Sequence, residues 1–331
     1  MKIEEVRQHL EHLAVADLRN VAAQLYKMLP KKVAEEKGAD RLISDPQNFL
    51  EANKVRKAPA LPDLGLLEFE TQEFLENASE QRYFAPNRII SKAERRRWRF
   101  VAKRLYEDWC LLAAQAENLA ASTKAMEDLY RILCRGCEVY LFPSTDTFRA
   151  IGVPQQEFLE QLLVLKAQLC PPIEWIAHAL ALVHAGAYGD TSTRELQDVF
   201  IGTLKTPELK EVALEAITRQ LGRRLPLGSG GSRQESWEET SHSRDLLRLG
   251  FQAAWALGEK ERAVQWMRTH AAKQESPGHL LLQLLLETKD REAWMHEYEA
   301  TRLKQPAAAK GWEKTFEEAR RQGELPACQV R

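Results

Sequence analysis

Apolar side chains recur along this chain at the three-to-four-residue spacing of an α-helix wherever a period can be read. Leu10, Leu13, Leu18, Val21, Ala22, Leu25 and Leu29 predict two short amphipathic helices that end at Pro30, with Asp17 placed to cap the second. Residues 51–65 carry two prolines and no sustained period, and read as a loop. Helices then follow at about 66–80, 91–120, 122–138, 154–169, 172–187, 191–203 and 206–222. Pro143, Pro154, Pro171, Pro172 and Pro207 sit at their edges, where a missing N–H and a fixed φ are tolerated. Val139-Tyr140-Leu141-Phe142 is β-prone and reads as an extended connector.

A second break is Pro226-Leu227-Gly228-Ser229-Gly230-Gly231-Ser232, which has the composition of a flexible linker. After it the period resumes at about 242–257, 259–273, 277–288, 290–303 and 310–322. The fold class is therefore all-α, with helical hairpins packed as a bundle or an α-solenoid. The expected blocks are 1–50, a loop at 51–65, a central domain at 66–225, a Gly/Ser linker at 226–241 and a C-terminal repeat-like domain at 242–331. Trp237, an aromatic in an otherwise polar linker, is a candidate anchor for a partner.

Residues 249–298 resemble a tetratricopeptide unit. Phe251, Ala254, Leu257 and Gly258 match its first helix and turn, and Ala263, Met267 and Pro277 fall near the landmarks of the second. The register departs from that family, because the proline comes late and His270 stands where a small residue is usual. The resemblance implies stacked hairpins presenting a continuous surface to a protein partner. The two N-terminal helices resemble the helix-extended-helix modules that bind DNA, such as the SAP domain; a plain helical hairpin has the same outline.

With 44% hydrophobic and 29% charged residues, the chain has an ordinary globular composition. Five cysteines, an odd number, suit a reducing cytoplasm better than a disulfide framework. The opening Met1-Lys2-Ile3-Glu4-Glu5 has no apolar run and is not expected to be a signal peptide. The most apolar window, Ile173 to Tyr188, is too short and too interrupted to span a bilayer.

The net charge of −1 hides one strong asymmetry. From Arg88 to Arg104 there are eight basic residues (Arg88, Lys92, Arg95, Arg96, Arg97, Arg99, Lys103, Arg104) and one acid, Glu94, a local charge of +7. Ser91 and Glu94 form a capping box that starts a helix here. On the helical wheel Trp98, Val101, Ala102, Leu105 and Trp109 share one arc, and the cations fill most of the other. Two readings are open. The face is neutralised inside the protein by Glu68, Glu70, Glu73, Glu76 and Glu80, or it meets phosphates or an acidic protein.

Motifs for catalysis are sparse. Cys134-Arg135-Gly136-Cys137 is a lone CxxC at the end of an apolar helix, so buried thiols are expected there rather than a metal site. His178 and His184 lie on an apolar helix and read as satisfied, partly buried side chains. There is no P-loop, GxSxG or HExxH. The expectation is a non-enzymatic cytoplasmic scaffold without a cofactor or membrane attachment. Its partner would be a protein held along the C-terminal hairpins; nucleic acid on the basic face is the alternative.

Overall fold

The structure, a computed structural model, describes residues 3–49, 61–186, 193–223, 233–272, 276–322, 324 and 325. Every regular element among them is helical, as the apolar period predicts. The chain divides into two compact units, Met1–Leu61 and Pro62–Arg331.

The first unit holds α1 (Ile3–Glu11), α2 (Val15–Met28), α3 (Lys31–Lys37) and α4 (Ala39–Ser44). A tight turn joins α1 to α2, so the extended segment of a helix-extended-helix module is not what forms. Pro30 ends the second helix and caps a third that the sequence reading did not include. Gly38, at φ 65°, closes α3 and opens α4 in the left-handed conformation that glycine adopts without strain. Among the described residues of this unit only Ala34 is buried among the apolar side chains, whereas Val15, Leu25, Met28 and Ile43 stay exposed.

The second unit begins with α5 (Leu64–Ser79), α6 (Lys92–Leu112) and α7 (Leu119–Glu138). It continues through α8 (Thr147–Ile151), α9 (Gln155–Leu169), α10 (Pro172–Ala185), α11 (Thr193–Thr203) and α12 (Pro207–Arg223). It closes with α13 (Arg233–Trp255), α14 (Lys260–His270), α15 (Pro277–Glu287), α16 (Arg291–Lys304), α17 (Pro306–Ala309) and α18 (Glu313–Gln322). Prolines stand at the starts of α10, α12, α15 and α17, where their missing N–H costs nothing.

The structure departs locally from the expected helices in three places. The helix expected over 91–120 stops at Leu112 and resumes as a short 3₁₀ turn, Ala116–Asn118. The five residues of α8, capped by Asp146, are too few to show a period. Residues 233–241, read as linker, are the first turns of α13. Gln234, Glu235, Glu238 and Glu239 are good helix formers that carry no apolar stripe to announce them. The rest of that linker, 226–232, lies outside the described residues.

Two apolar clusters hold the second unit together. One gathers Phe74, Trp98, Trp109, Phe142, Phe158, Trp175 and Phe200; the other gathers Phe251, Met267, Leu285, Trp294 and Tyr298. α12 and α13 feed both, through Ile217, Leu246 and Leu249 on one side and Leu214, Leu247 and Phe251 on the other. Trp98, Trp109, Trp175 and Trp294 are buried as expected, while Trp255 and Trp266 are half-buried at the edge of the core. Among the described residues no helix is long and apolar enough to cross a membrane.

Close packing is tightest where α13 meets α14. Gly250 lies against the six-membered ring of Trp266, well inside the distance a Cβ would need. The indole is pinned: its Nε1–H donates to Thr218 Oγ1 at 3.1 Å and it stacks on His270 at 4.5 Å. Alanine is favoured over glycine inside a helix by about 1 kcal/mol, but overpacking a fixed ring costs roughly 1–3 kcal/mol. Gly250→Ala is therefore expected to lower stability in urea unfolding, by less in a Trp266→Leu background. A stabilised Gly250→Ala protein would contradict this packing.

Candidate interaction surface

The basic helix α6 begins where its sequence says it should. Ser91 Oγ accepts from the Glu94 N–H at 3.2 Å, and Glu94 accepts from the Ser91 N–H at 3.1 Å. These bonds, with Arg97 nearby, hold the Glu94 carboxyl below its ordinary pKa, so it stays ionised at the positive end of the helix.

One face of α6 is committed to the core. Trp98, Ala102, Leu105, Tyr106, Trp109 and Leu112 are buried. Trp98 stacks on Phe142 with centroids 4.2 Å apart, and Phe142 in turn packs on Phe74 and Tyr83 at 5.9 Å each. Farther along, Trp109 Nε1–H donates to Thr71 Oγ1 at 2.9 Å, which ties α6 to α5. Burial drives the Tyr83 phenol up to about 12 against the opposing effect of a hydrogen bond to Asn77, so it stays neutral.

The connection from α5 to α6 is fixed by Asn87. Its Nδ2 donates to the carbonyls of Arg82 and Ala85 at 2.7 and 2.9 Å, and its Oδ1 accepts from the Ile89 and Ile90 N–H groups at 2.9 and 2.7 Å. Arg95 adds a bond to the Ile90 carbonyl at 3.1 Å. This Asn turn leaves Arg88 and Ile89 facing solvent in a defined backbone.

The cations sort into two groups. Arg104 reaches Glu70 at 2.8 Å and Lys103 lies 3.8 Å from Glu107, while Arg95 serves the preceding loop. Both ion pairs are exposed, and such pairs contribute little, about 0–1 kcal/mol. Arg88, Lys92, Arg96, Arg97 and Arg99 are exposed, and among the described residues no carboxylate lies within ion-pairing distance of them. The acidic stretch thus neutralises one cation of this face, through Glu70, while Glu80 pairs with Arg82 outside it. Neutralisation by the whole run Glu68–Glu80 is not what the structure shows.

Apolar rings interrupt this charge, a feature the sequence reading missed. Phe100 is 60% exposed, one turn from Arg96, Arg97, Lys103 and Arg104, and the Arg99 guanidinium lies 4.8 Å from its ring centroid. Phe84 and Tyr140, 45% and 65% exposed, stack on each other at 5.4 Å. They flank the buried stack, since Phe84 follows Tyr83 and Tyr140 precedes Phe142 by two residues. On the wheel Phe100 falls among the cations, which was the available signal; Phe84 and Tyr140 meet only in the fold.

The other candidates separate. Cys134 is buried beside Gln155 Nε2 at 3.6 Å, whereas Cys137 meets Thr147 Oγ1 at 3.2 Å. Among the described residues no group of three His, Cys, Asp or Glu side chains is arranged to hold a metal ion. His178 and His184 are both exposed rather than partly buried; His184 meets His242 of α13, with Nδ1 atoms 2.8 Å apart. The backbone of Trp237 lies in α13, and its side chain is outside what the structure describes. No known protein family matches the chain, and no curated protein or solved structure is similar to it.

Burial also settles the chemistry open to Cys134, whose thiol it pushes up to about 12. The thiolate is the reactive form and appears only as pH approaches that value, so at pH 8 the side chain stays protonated. Alkylation by iodoacetamide at pH 8, followed by peptide mass spectrometry, is expected to modify Cys134 at least about tenfold more slowly in the folded than in the urea-unfolded protein. Equal rates would contradict the buried placement.

Proposed function

We propose that this protein acts by binding rather than by catalysis, and that its partner on the α6 face is nucleic acid. The observation that carries the reading is the set of five exposed cations, Arg88, Lys92, Arg96, Arg97 and Arg99, with no described carboxylate in pairing distance. From Lys92 to Arg99 they follow a single rigid helix, so the charge is presented in a fixed array. Such an array neutralises phosphates and releases their counterions, which makes affinity steeply salt-dependent.

The reading is checked by fluorescence anisotropy with a labelled 20-base-pair duplex between 50 and 200 mM salt. Five phosphate contacts predict a slope of log affinity against log salt of about −4 to −5. The Arg96→Glu/Arg99→Glu variant is expected to bind at least about tenfold more weakly and with a slope shallower by about 2. Failure of both this duplex and its separate strands to bind at 50 mM salt would overturn the reading.

The C-terminal helices support a second reading, a solenoid-like scaffold for a protein partner. Its support is a groove of about 360 Å³ between α11, α13 and α15, lined by Ile201, Phe251, Trp255 and Leu284 with Asp198 and Glu287. Half-exposed Trp255 is the kind of side chain that dominates binding energy at interfaces. A partner using this groove is expected to co-purify with the native protein and be lost from Trp255→Ala. Retention by that variant would remove the groove from the scaffold reading.

A further inference from the structure

We infer that the α6 surface takes single-stranded rather than duplex nucleic acid, with unpaired bases stacked on Phe100 and on the Phe84–Tyr140 pair. The inference rests on the nucleic-acid reading above and adds to it the physical form of the strand.

The fold leaves apolar area in water around this helix. Phe100, Phe84, Tyr140 and Ile89 are 60%, 45%, 65% and 65% exposed; Phe100 sits among the cations of α6, Ile89 follows Arg88, and Phe84 stacks on Tyr140 from the loop that leads into the helix. A single exposed apolar residue is ordinary, but several on one surface mark a place where something binds. Phosphate contacts alone give these rings nothing to do. A duplex has its base faces stacked inside, and presents only their edges in the grooves. An unpaired strand offers both phosphates and π-faces, and the surfaces that bind such strands combine a basic track with aromatic platforms.

The geometry suits that division of labour. Phe100 lies within one turn of Arg96, Arg97, Lys103 and Arg104, so a base resting on its ring keeps its phosphates near guanidinium groups. Arg99 lies 4.8 Å from the ring as a cation, and the ring remains 60% exposed. The second platform is built from the loop before α6 and the connector after α7. The buried chain of rings Tyr83, Phe142 and Trp98 links it to α6, with successive centroids 5.9 and 4.2 Å apart. Asn87 fixes the intervening loop, so the platforms hold their places before a strand arrives. That reduces the ordering cost of binding.

The test uses the full chain with a mixed-sequence 20-nucleotide strand, alone and annealed to its complement, followed by anisotropy. The single strand is expected to bind at least about tenfold more tightly than the duplex. Phe100→Leu keeps apolar volume and removes the π-face, so it is expected to lower single-strand affinity about fivefold or more. It should leave duplex affinity and the salt slope unchanged, because every charge is intact. Phe100→Trp should retain tight binding, and Phe84→Ala/Tyr140→Ala should lower single-strand affinity independently. All these side chains are largely outside the core, so circular dichroism should show unaltered folding. Equal affinity for both forms, with Phe100→Leu neutral, overturns the inference and leaves the basic-face reading standing. Binding of neither form at 50 mM salt removes the basic-face reading and this inference with it.

Discussion

The stack of Trp98 on Phe142 decides how the rest of this surface is presented. With 4.2 Å between centroids and Trp98 almost fully buried, the stack fixes the rotation of α6 about its own axis. Phe74 and Tyr83 pack round the same ring, and Trp109 repeats the anchoring about three turns later through its bond to Thr71. Turning the helix by one residue, about 100°, would carry guanidinium groups toward the core. Burying an unpaired charge costs far more than any apolar contact returns. The arginines are outside because the tryptophans are inside.

That rotation does not assign the cations equal roles. Arg95 is drawn back to the Ile90 carbonyl and helps close the loop, and Arg104 is drawn sideways to Glu70. Lys103 lies beside Glu107; among the described residues Arg88, Lys92, Arg96, Arg97 and Arg99 have no carboxylate in pairing distance, and Phe100 sits in their midst on the solvent side. The result is a surface with two chemistries, fixed positive charge and exposed aromatic rings, on a backbone held by a capping box and an Asn turn. A partner that satisfies both must itself carry negative charge and flat apolar faces.

Much of the fold was legible because its signals are local. The 3.6-residue period, the prolines at helix starts and the Ser91–Glu94 capping box each speak about residues near themselves, and the helices formed where these pointed. α8 was too short to show a period, and the first turns of α13 are helical without an apolar stripe. The tetratricopeptide outline rested on seven spaced positions, Phe251, Ala254, Leu257, Gly258, Ala263, Met267 and Pro277, a pattern that other packed helical hairpins can also carry. For the candidate surface, charge and rotation could be read from the wheel. Pairing could not: five glutamates stand upstream, and which of them reaches an arginine depends on how α5 lies against α6. The Phe84–Tyr140 platform joins residues 56 positions apart, and no periodicity encodes that.

The central claim is that the exposed rings and cations around α6 form one contact surface for a nucleic-acid strand. Ultraviolet cross-linking tests it most directly, since bases stacked on aromatic side chains form covalent adducts that peptide mass spectrometry can locate. For a single strand bound to the intact protein, adducts are predicted at Phe100 and at Phe84 or Tyr140, within peptides from 81–104 and 139–143. Adducts confined to other helices, with these peptides unmodified, would contradict the account.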